Sequence, residues 1–149
     1  MKIWLVVVWK KMFLEKIDNF LNKFLSKFYF FSVLMIRFGL GIAFILHGKS
    51  KFPLPPQKLM DFFGFSPFLA SFVAISEILA GLGLIFSAFL KNYLGNLIAR
   101  GSALVIVVVM IFAFYFAHKD WFINEKLFTS EQIFLFMIGI YFLINGNKH

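Results

Sequence analysis

The apolar run at residues 67–90 carries a single charged residue, Glu77, about ten positions from its start. At ~1.5 Å per residue in a helix, the Glu77 carboxylate falls near the middle of a bilayer. A charge at that depth is costly, and it is retained where it has a partner or a use. Glu77 therefore predicts a polar site inside a membrane-spanning structure.

Two other apolar runs each contain an internal arginine, Arg37 in the first and Arg100 in the third, and a fourth run follows. Three runs exceed the ~20 residues that a helix needs to cross a membrane, and the fourth is shorter. The chain is therefore predicted to be all-α, an integral membrane four-helix bundle. The predicted spans are at about 28–48, 67–90, 94–118 and 130–146.

Composition supports a membrane protein. Hydrophobic residues make up 61% of the 149 residues, and the mean hydropathy is +0.87. A water-soluble core of this length cannot bury so much apolar surface, so lipid is expected to cover it. The net charge of +8 comes from lysines at span ends and near the N-terminus, so the expected partner is the lipid bilayer and not nucleic acid. The absence of cysteine removes disulfides and thiolate metal sites.

Residues 1–27 are predicted to form a separate segment, ahead of a membrane domain at 28–147. Apolar residues recur there at helical spacing with lysines between them, which is typical of an amphipathic helix at the membrane interface. A simple topogenic anchor is the alternative. The lysine distribution predicts a multi-pass protein with both termini inside, and this orientation depends on the N-terminal segment. The expected location is the bacterial cytoplasmic (inner) membrane.

The charged residues of the first three runs are predicted to form one intramembrane site. At about 100° per residue, Arg37 and Glu77 lie on faces rich in small residues, and both fall near mid-depth. They are therefore predicted to form an ion pair, with Arg100 nearer the start of the third span. A cluster at the opposite end, the predicted mouth of the bundle, comprises His47, Lys51, His118 and Glu131.

Two segments resemble the motifs of a known family. Residues 37–41 followed by 47–52 are similar to the first-span signature of the DoxX family, and residues 77–84 are similar to its second-span motif. The resemblance covers about residues 30–147 and includes the positions of His118, Glu131 and Gly146.

This resemblance implies a four-helix membrane protein linked to redox chemistry, because the family takes its name from subunits of quinone-linked sulfur-oxidising systems. The chain would be a small subunit of, or accessory to, such a system. Quinone would be its ligand, and a membrane or peripheral redox protein would be its partner. No redox cofactor is identified in the chain itself, so the partner would supply one. The resemblance leaves open whether the chain is an enzyme and which residues would be catalytic.

Each candidate residue also has a structural interpretation. Arg37 and Glu77 either fix helix register or bind an anion or quinone head group, with Arg37 donating to a carbonyl oxygen and Glu77 relaying a proton. His47 and His118 either cap helices or, with Glu131, relay protons or ligate a metal or haem. The histidines lie at span ends without an attachment motif, so no metal site is predicted.

Two other functions fit the same residues. The chain could be a non-enzymatic membrane protein that stabilises or assembles a partner complex and has a purely structural polar core. It could also be a conduit for protons or a small molecule that uses the interior charges.

Overall fold

The computed structural model describes residues 2–117, 120 and 125–147, with side chains from residue 12 onward. All regular structure in these residues is helical. The elements are α1 (Lys2–Leu25), a 3-10 helix (Ser26–Phe28), α2 (Tyr29–Lys49), α3 (Gln57–Phe63), α4 (Pro67–Ser87), α5 (Tyr93–Ala117), α6 (Lys126–Thr129) and α7 (Glu131–Asn145).

Three helical segments are long and apolar enough to cross a membrane: Met12–Lys49, Pro67–Ser87 and Tyr93–Ala117. Glu131–Asn145 is a shorter apolar helix. The prediction of an all-α membrane protein is thereby confirmed. A helix lies at each predicted span, and the largest difference in bounds is at α4, which ends at Ser87 and not near residue 90.

Local signals determine where α3 ends and α4 begins. Gly64 follows α3 with a φ of 66°, a left-handed conformation that glycine adopts without a steric penalty. The Ser66 hydroxyl accepts a hydrogen bond from the N–H of Leu69 at 3.2 Å and so caps α4. Pro67 occupies the first turn, where its missing N–H costs nothing.

The chain forms two compact units, Met1–Leu34 and Met35–His149. In the first unit the side chains of residues 12–30 are all exposed, including the large rings of Phe13, Phe20 and Phe24. The second unit contains the remainder of α2 and the helices from α3 to α7. Within it, α4 packs along α5, and α5 packs along α7.

Glycines bring α2 and α4 into close contact in the second unit. A Cβ atom on Gly41 would lie 2.9 Å from the carbonyl oxygen of Gly81, and one on Gly48 would lie 2.7 Å from that of Ala74. The two backbones therefore approach as closely as small residues allow. Because the contact moves back along α4 as α2 advances, the two helices run antiparallel in a fixed register.

Among the described residues, the core of the second unit combines apolar side chains with four polar or charged ones, Arg37, Glu77, Ser87 and Ser102. The largest side chains below 2% exposure are Arg37, Phe44, Phe142, Leu40, Leu84, Ile106 and Ser87. Many phenylalanines and leucines lie on the outer faces of the same helices, which suits a surface covered by lipid. Burying polar groups in such apolar surroundings is costly, so the polar members of the core are the candidates for a functional site.

Gly41→Ala is expected to destabilise the protein by about 1–3 kcal/mol, because its methyl group would meet the backbone of α4 and force the helices apart. Gly39→Ala is the matched control in the same helix, since a Cβ there meets nothing within 4 Å. The control should melt at the wild-type temperature or slightly above it, as alanine favours helix. Thermal unfolding in detergent, followed by circular dichroism, measures both, and equal losses would contradict the glycine contact.

Candidate functional site: a buried ion pair and an apolar cavity

Glu77 has a lysine as its partner. Its side chain, only 5% exposed, forms an ion pair and a hydrogen bond with Nζ of Lys51, whose side chain is 19% exposed. The same Nζ donates to the backbone carbonyl oxygen of His47 at 3.2 Å. The residues just after α2 are thereby held against the middle of α4. Each charge offsets the cost of burying the other, which explains how an apolar helix retains Glu77.

His47 joins the end of α2 to the start of α7. Its Nε2 lies 3.2 Å from Oε1 of Glu131, and the side chains are 39% and 64% exposed. The structure therefore places three members of the predicted mouth cluster, His47, Lys51 and Glu131, at one end of the helices with Glu77 beside them. The fourth member, His118, lies outside the described residues.

The predicted ion pair between Arg37 and Glu77 is not formed. Glu77 pairs with Lys51, and Arg37 Nη1 donates to the hydroxyl oxygen of Ser87 at 2.7 Å. Each charge lies near the middle of its own apolar run, but the glycine contacts offset α2 and α4 in register. Arg37 is therefore level with the last residue of α4, about three turns from Glu77.

Arg37 is fully buried where three helices meet. In addition to its bond with Ser87, its Nη2 donates to the carbonyl oxygen of Gly146 at 3.4 Å. Its guanidinium carbon lies 4.8 Å from the ring centre of Phe142, a cation–π contact that gains strength where water is excluded. Since Ser87 ends α4 and Gly146 follows α7, Arg37 ties both helix ends to α2.

Arg100 reaches the same end of α7. Its Nη2 donates to the carbonyl oxygen of Ile144 at 2.8 Å. Cations close to the last carbonyl groups of a helix satisfy those acceptors and interact favourably with the helix dipole. The predicted intramembrane charge site is therefore divided, with Arg37 and Arg100 at the C-terminal end of α7 and Glu77 beside Lys51.

Other polar residues, which sequence reasoning did not select, form hydrogen bonds at the end of the helices where Arg37 and Arg100 lie. The Asn147 N–H donates to Oδ1 of Asn96 at 3.0 Å, and Nδ2 of Asn147 donates to the carbonyl oxygens of Ser87 and Leu90 at 2.9 and 2.6 Å. Ser87 follows the buried Leu84 at helical spacing, a signal that could have identified it. The contacts of the two asparagines depend on tertiary packing and leave no comparable signal.

A cavity of about 660 Å³ lies beside the Lys51–Glu77 ion pair. Helices α3, α4 and α5 supply most of its wall, with Phe44 of α2 and Leu135 of α7. Most of the lining is aliphatic or aromatic, and its polar members are His47, Lys51, Ser76, Glu77 and Gln132. The volume is within the range of ~300–1,000 Å³ that is typical of small-molecule sites.

Three phenylalanines form the part of the cavity wall that lies beside α3. The ring centres of Phe63 and Phe65 are 5.5 Å apart, and they lie 6.0 and 5.9 Å from that of Phe116. Edge-to-face contacts of this kind stabilise packed aromatic groups beyond simple burial. The cluster attaches the segment between α3 and α4 to the last turn of α5.

The ion pair offers a hydrogen-bond donor and an acceptor without net charge. Lys51 can donate to a ligand, and Glu77 can accept from one. A charged ligand would lose its hydration here without a compensating charge, whereas a neutral polar head group on an apolar body fits. Within the described ranges, no group of three His, Cys, Asp or Glu residues is placed to hold a metal ion.

Apolar helices of spanning length around a buried ion pair and a cavity define an integral membrane protein with a polar group in its interior. A family model described as DoxX matches residues 32–119, more than half of the chain, and the protein belongs to the DoxX family. The matched range includes both Arg37 and Glu77. No curated protein and no solved structure matches the chain.

Lys51 and Glu77 are expected to be energetically coupled. Lys51→Met and Glu77→Gln each leave the other partner uncompensated, so each should lower the melting temperature in detergent. The double variant should recover part of the loss, with a coupling energy of about 1–3 kcal/mol. Thermal unfolding of the four proteins measures this double-mutant cycle.

A second cycle with Arg37→Gln and Glu77→Gln serves as the control. These two residues share no contact, so their effects should add to within ~0.5 kcal/mol. Strong coupling in the Arg37 cycle, together with additivity in the Lys51 cycle, would overturn the partners assigned to Glu77.

Proposed function

We propose that this DoxX protein binds a neutral amphipathic molecule of the quinone class, as a small subunit of, or accessory to, a membrane redox system. The observation that carries the proposal is the cavity of about 660 Å³, which is apolar over most of its wall and bordered by the Lys51–Glu77 ion pair. Such a site provides apolar surface for a hydrocarbon body and one polar position that orients a head group.

A quinone head group suits that polar position in both of its redox states. Lys51 Nζ can donate to a quinone carbonyl oxygen, and the Glu77 carboxylate can accept from a quinol hydroxyl group. Neither arrangement leaves an uncompensated charge in the cavity. The electrons would come from the redox partner, and the part of this chain is binding and proton exchange.

A route for protons leads from the ion pair to the exposed end of the helices. Glu131 is exposed and contacts the ring of His47, and His47 also borders the cavity. An imidazole placed between an exposed carboxylate and a ligand can accept a proton on one nitrogen and release one from the other. We propose that His47 has this function toward a head group held by Lys51 and Glu77.

The same proposal places α2, α4, α5 and α7 in the bacterial cytoplasmic membrane as a four-span bundle with both termini inside. The packing of the shorter α7 along α5 and the lysines of the N-terminal segment support it. Residues 1–27 would lie on the inner surface as a basic amphipathic helix. The exposed rings of Phe13, Phe20 and Phe24 would enter the interface there, and neighbouring lysines would contact anionic lipid.

Ala113→Phe is expected to weaken binding of decylubiquinone about tenfold or more, because the ring would occupy the cavity that Ala113 borders. Ile111→Phe is the matched control on the same helix, since Ile111 is 50% exposed and does not border the cavity. It should bind like the wild type. Titration calorimetry in detergent measures affinity, and circular dichroism verifies that both variants are folded.

Equal affinity for wild type and Ala113→Phe would show that the quinone does not occupy this cavity. Absence of binding by the wild type, with no quinone in the lipid extract of the purified protein, would reject the quinone proposal. A protein that assembles or stabilises a partner complex would then be the better account of the charged core.

The four-span topology predicts opposite results for two reporter fusions. Alkaline phosphatase inserted in the proline-rich segment at residues 53–56 should be active, because that segment would face the periplasm. The same enzyme fused after residue 149 should be inactive, and a green fluorescent protein there should fluoresce. Activity of alkaline phosphatase at both positions would contradict the odd number of spans, α4, α5 and α7, that the proposal places between them, and with it the proposed orientation.

A further inference from the structure

The two arginines at the C-terminal end of α7 both approach Gly146. Arg37 Nη2 donates to its carbonyl oxygen at 3.4 Å, and Arg100 Nε lies 2.8 Å from the position that a Cβ on Gly146 would take. Two guanidinium groups are therefore gathered around one residue. They lie apart from the cavity, since neither arginine borders it.

Both guanidinium groups have donors without an acceptor. The Nε atoms of Arg37 and Arg100 are buried and unpaired, and so is the acceptor Oδ1 of Asn147. Buried donors on a charged group are rarely left unpaired, because the loss of hydration costs more than for a neutral group. This end of the molecule is therefore an incomplete hydrogen-bonding site.

The charges are also unbalanced. In the part of the chain that the structure describes, the acceptors of the two arginines are a hydroxyl group and backbone carbonyl oxygens, all of them neutral. The carboxylates of Glu77 and Glu131 form their ion pairs with Lys51 and His47, at the other end of the helices. Two partly desolvated cations in apolar surroundings favour an anion beside them.

The depth of the site indicates which anion. Arg37 is level with Ser87 at the end of α4, and Arg100 lies about two turns into α5. The ends of spanning helices coincide with the layer of lipid head groups. Arginine binds phosphate through charge-assisted and often bidentate hydrogen bonds, and basic pockets between helices at this depth suit phospholipid head groups.

We propose that Arg37 and Arg100 form a site for a phosphate-bearing anion, either the head group of an anionic phospholipid or a free phosphate. Arg100, which is only partly buried, makes the direct contact, and Arg37 supplies the second positive charge from inside the helices. A hydroxyl group on the same ligand, such as that of phosphatidylglycerol, would satisfy Oδ1 of Asn147. The proposal is independent of the quinone cavity.

The test compares the binding of three probes to the full-length protein in a neutral detergent. Native mass spectrometry with dioleoylphosphatidylglycerol and dioleoylphosphatidylcholine should show at least about tenfold tighter binding of the anionic lipid. Inorganic phosphate is the third probe. Competition by phosphate would identify a free-anion site, and its failure to compete would identify the lipid head group as the ligand.

Arg100→Gln should weaken phosphatidylglycerol binding about tenfold, as expected for the loss of a charge-assisted contact. Lys91→Gln is the matched control, because Lys91 is exposed in the turn between α4 and α5 at the same end. It should change affinity less than about twofold. Arg100→Lys keeps the charge without the planar fork and should lie between the two, which keeps the test decisive where Arg100→Gln does not fold.

Equal weakening by Arg100→Gln and Lys91→Gln would overturn the proposal, because it would indicate diffuse surface charge. Equal binding of the two lipids by the wild type, together with no binding of inorganic phosphate, would also overturn it. Wild-type affinity in Arg100→Lys, together with normal folding, would show that charge alone accounts for binding and that the guanidinium site is not built for phosphate.

Discussion

The close approach of α2 and α4 at their glycines determines where the buried charges lie. At these glycines the carbonyl oxygens of α4 and the side chains of Ile78 and Ile85 lie directly against α2, which leaves little room for one helix to slide along the other. The register that results sets Arg37 against Ser87 at one end. It also brings Glu77 within reach of Lys51 at the other end. Since lipid is as apolar as the helices, backbone contact of this kind is a main source of packing specificity in a membrane.

The elements of this fold could be predicted from the sequence, but the relation between them could not. Apolar length and proline positions located α2 and α4, and helical spacing placed Glu77 on a buried face. The depth of a residue was counted from the start of its own apolar run, however, and the sequence does not say how the starts of different runs align with one another. The segment that contains α3 lets α4 start well beyond the end of α2, so Gly48 meets Ala74 and not Pro67. The predicted Arg37–Glu77 pair failed for that reason, and the Asn147 contacts had no signal in the sequence.

The energetic cost of burying a charge is offset in two different ways at the two ends of the helices. Glu77 has an opposite charge, which leaves a neutral polar position beside an apolar cavity. Arg37 has a hydroxyl group, a carbonyl oxygen and the ring of Phe142, which leave its positive charge in place. The first arrangement favours a neutral head group, whereas the second concentrates positive potential near the membrane surface. The chain thereby has two polar environments, one that favours a neutral ligand and one that favours an anion.

Helix α7 is held by polar contacts at both ends, Glu131 with His47 at its start and Ile144 with Arg100 at its finish. Its 15 residues correspond to a length of about 22 Å, shorter than the ~30 Å hydrocarbon core of a typical bilayer. As a span, α7 requires the lipid beside it to thin, at a cost of fractions of a kcal/mol per Å. A thicker bilayer would draw both polar contacts toward hydrocarbon at once. In the proposed four-span arrangement, membrane thickness would therefore act on both ends of α7 together, and a thin membrane would suit this chain.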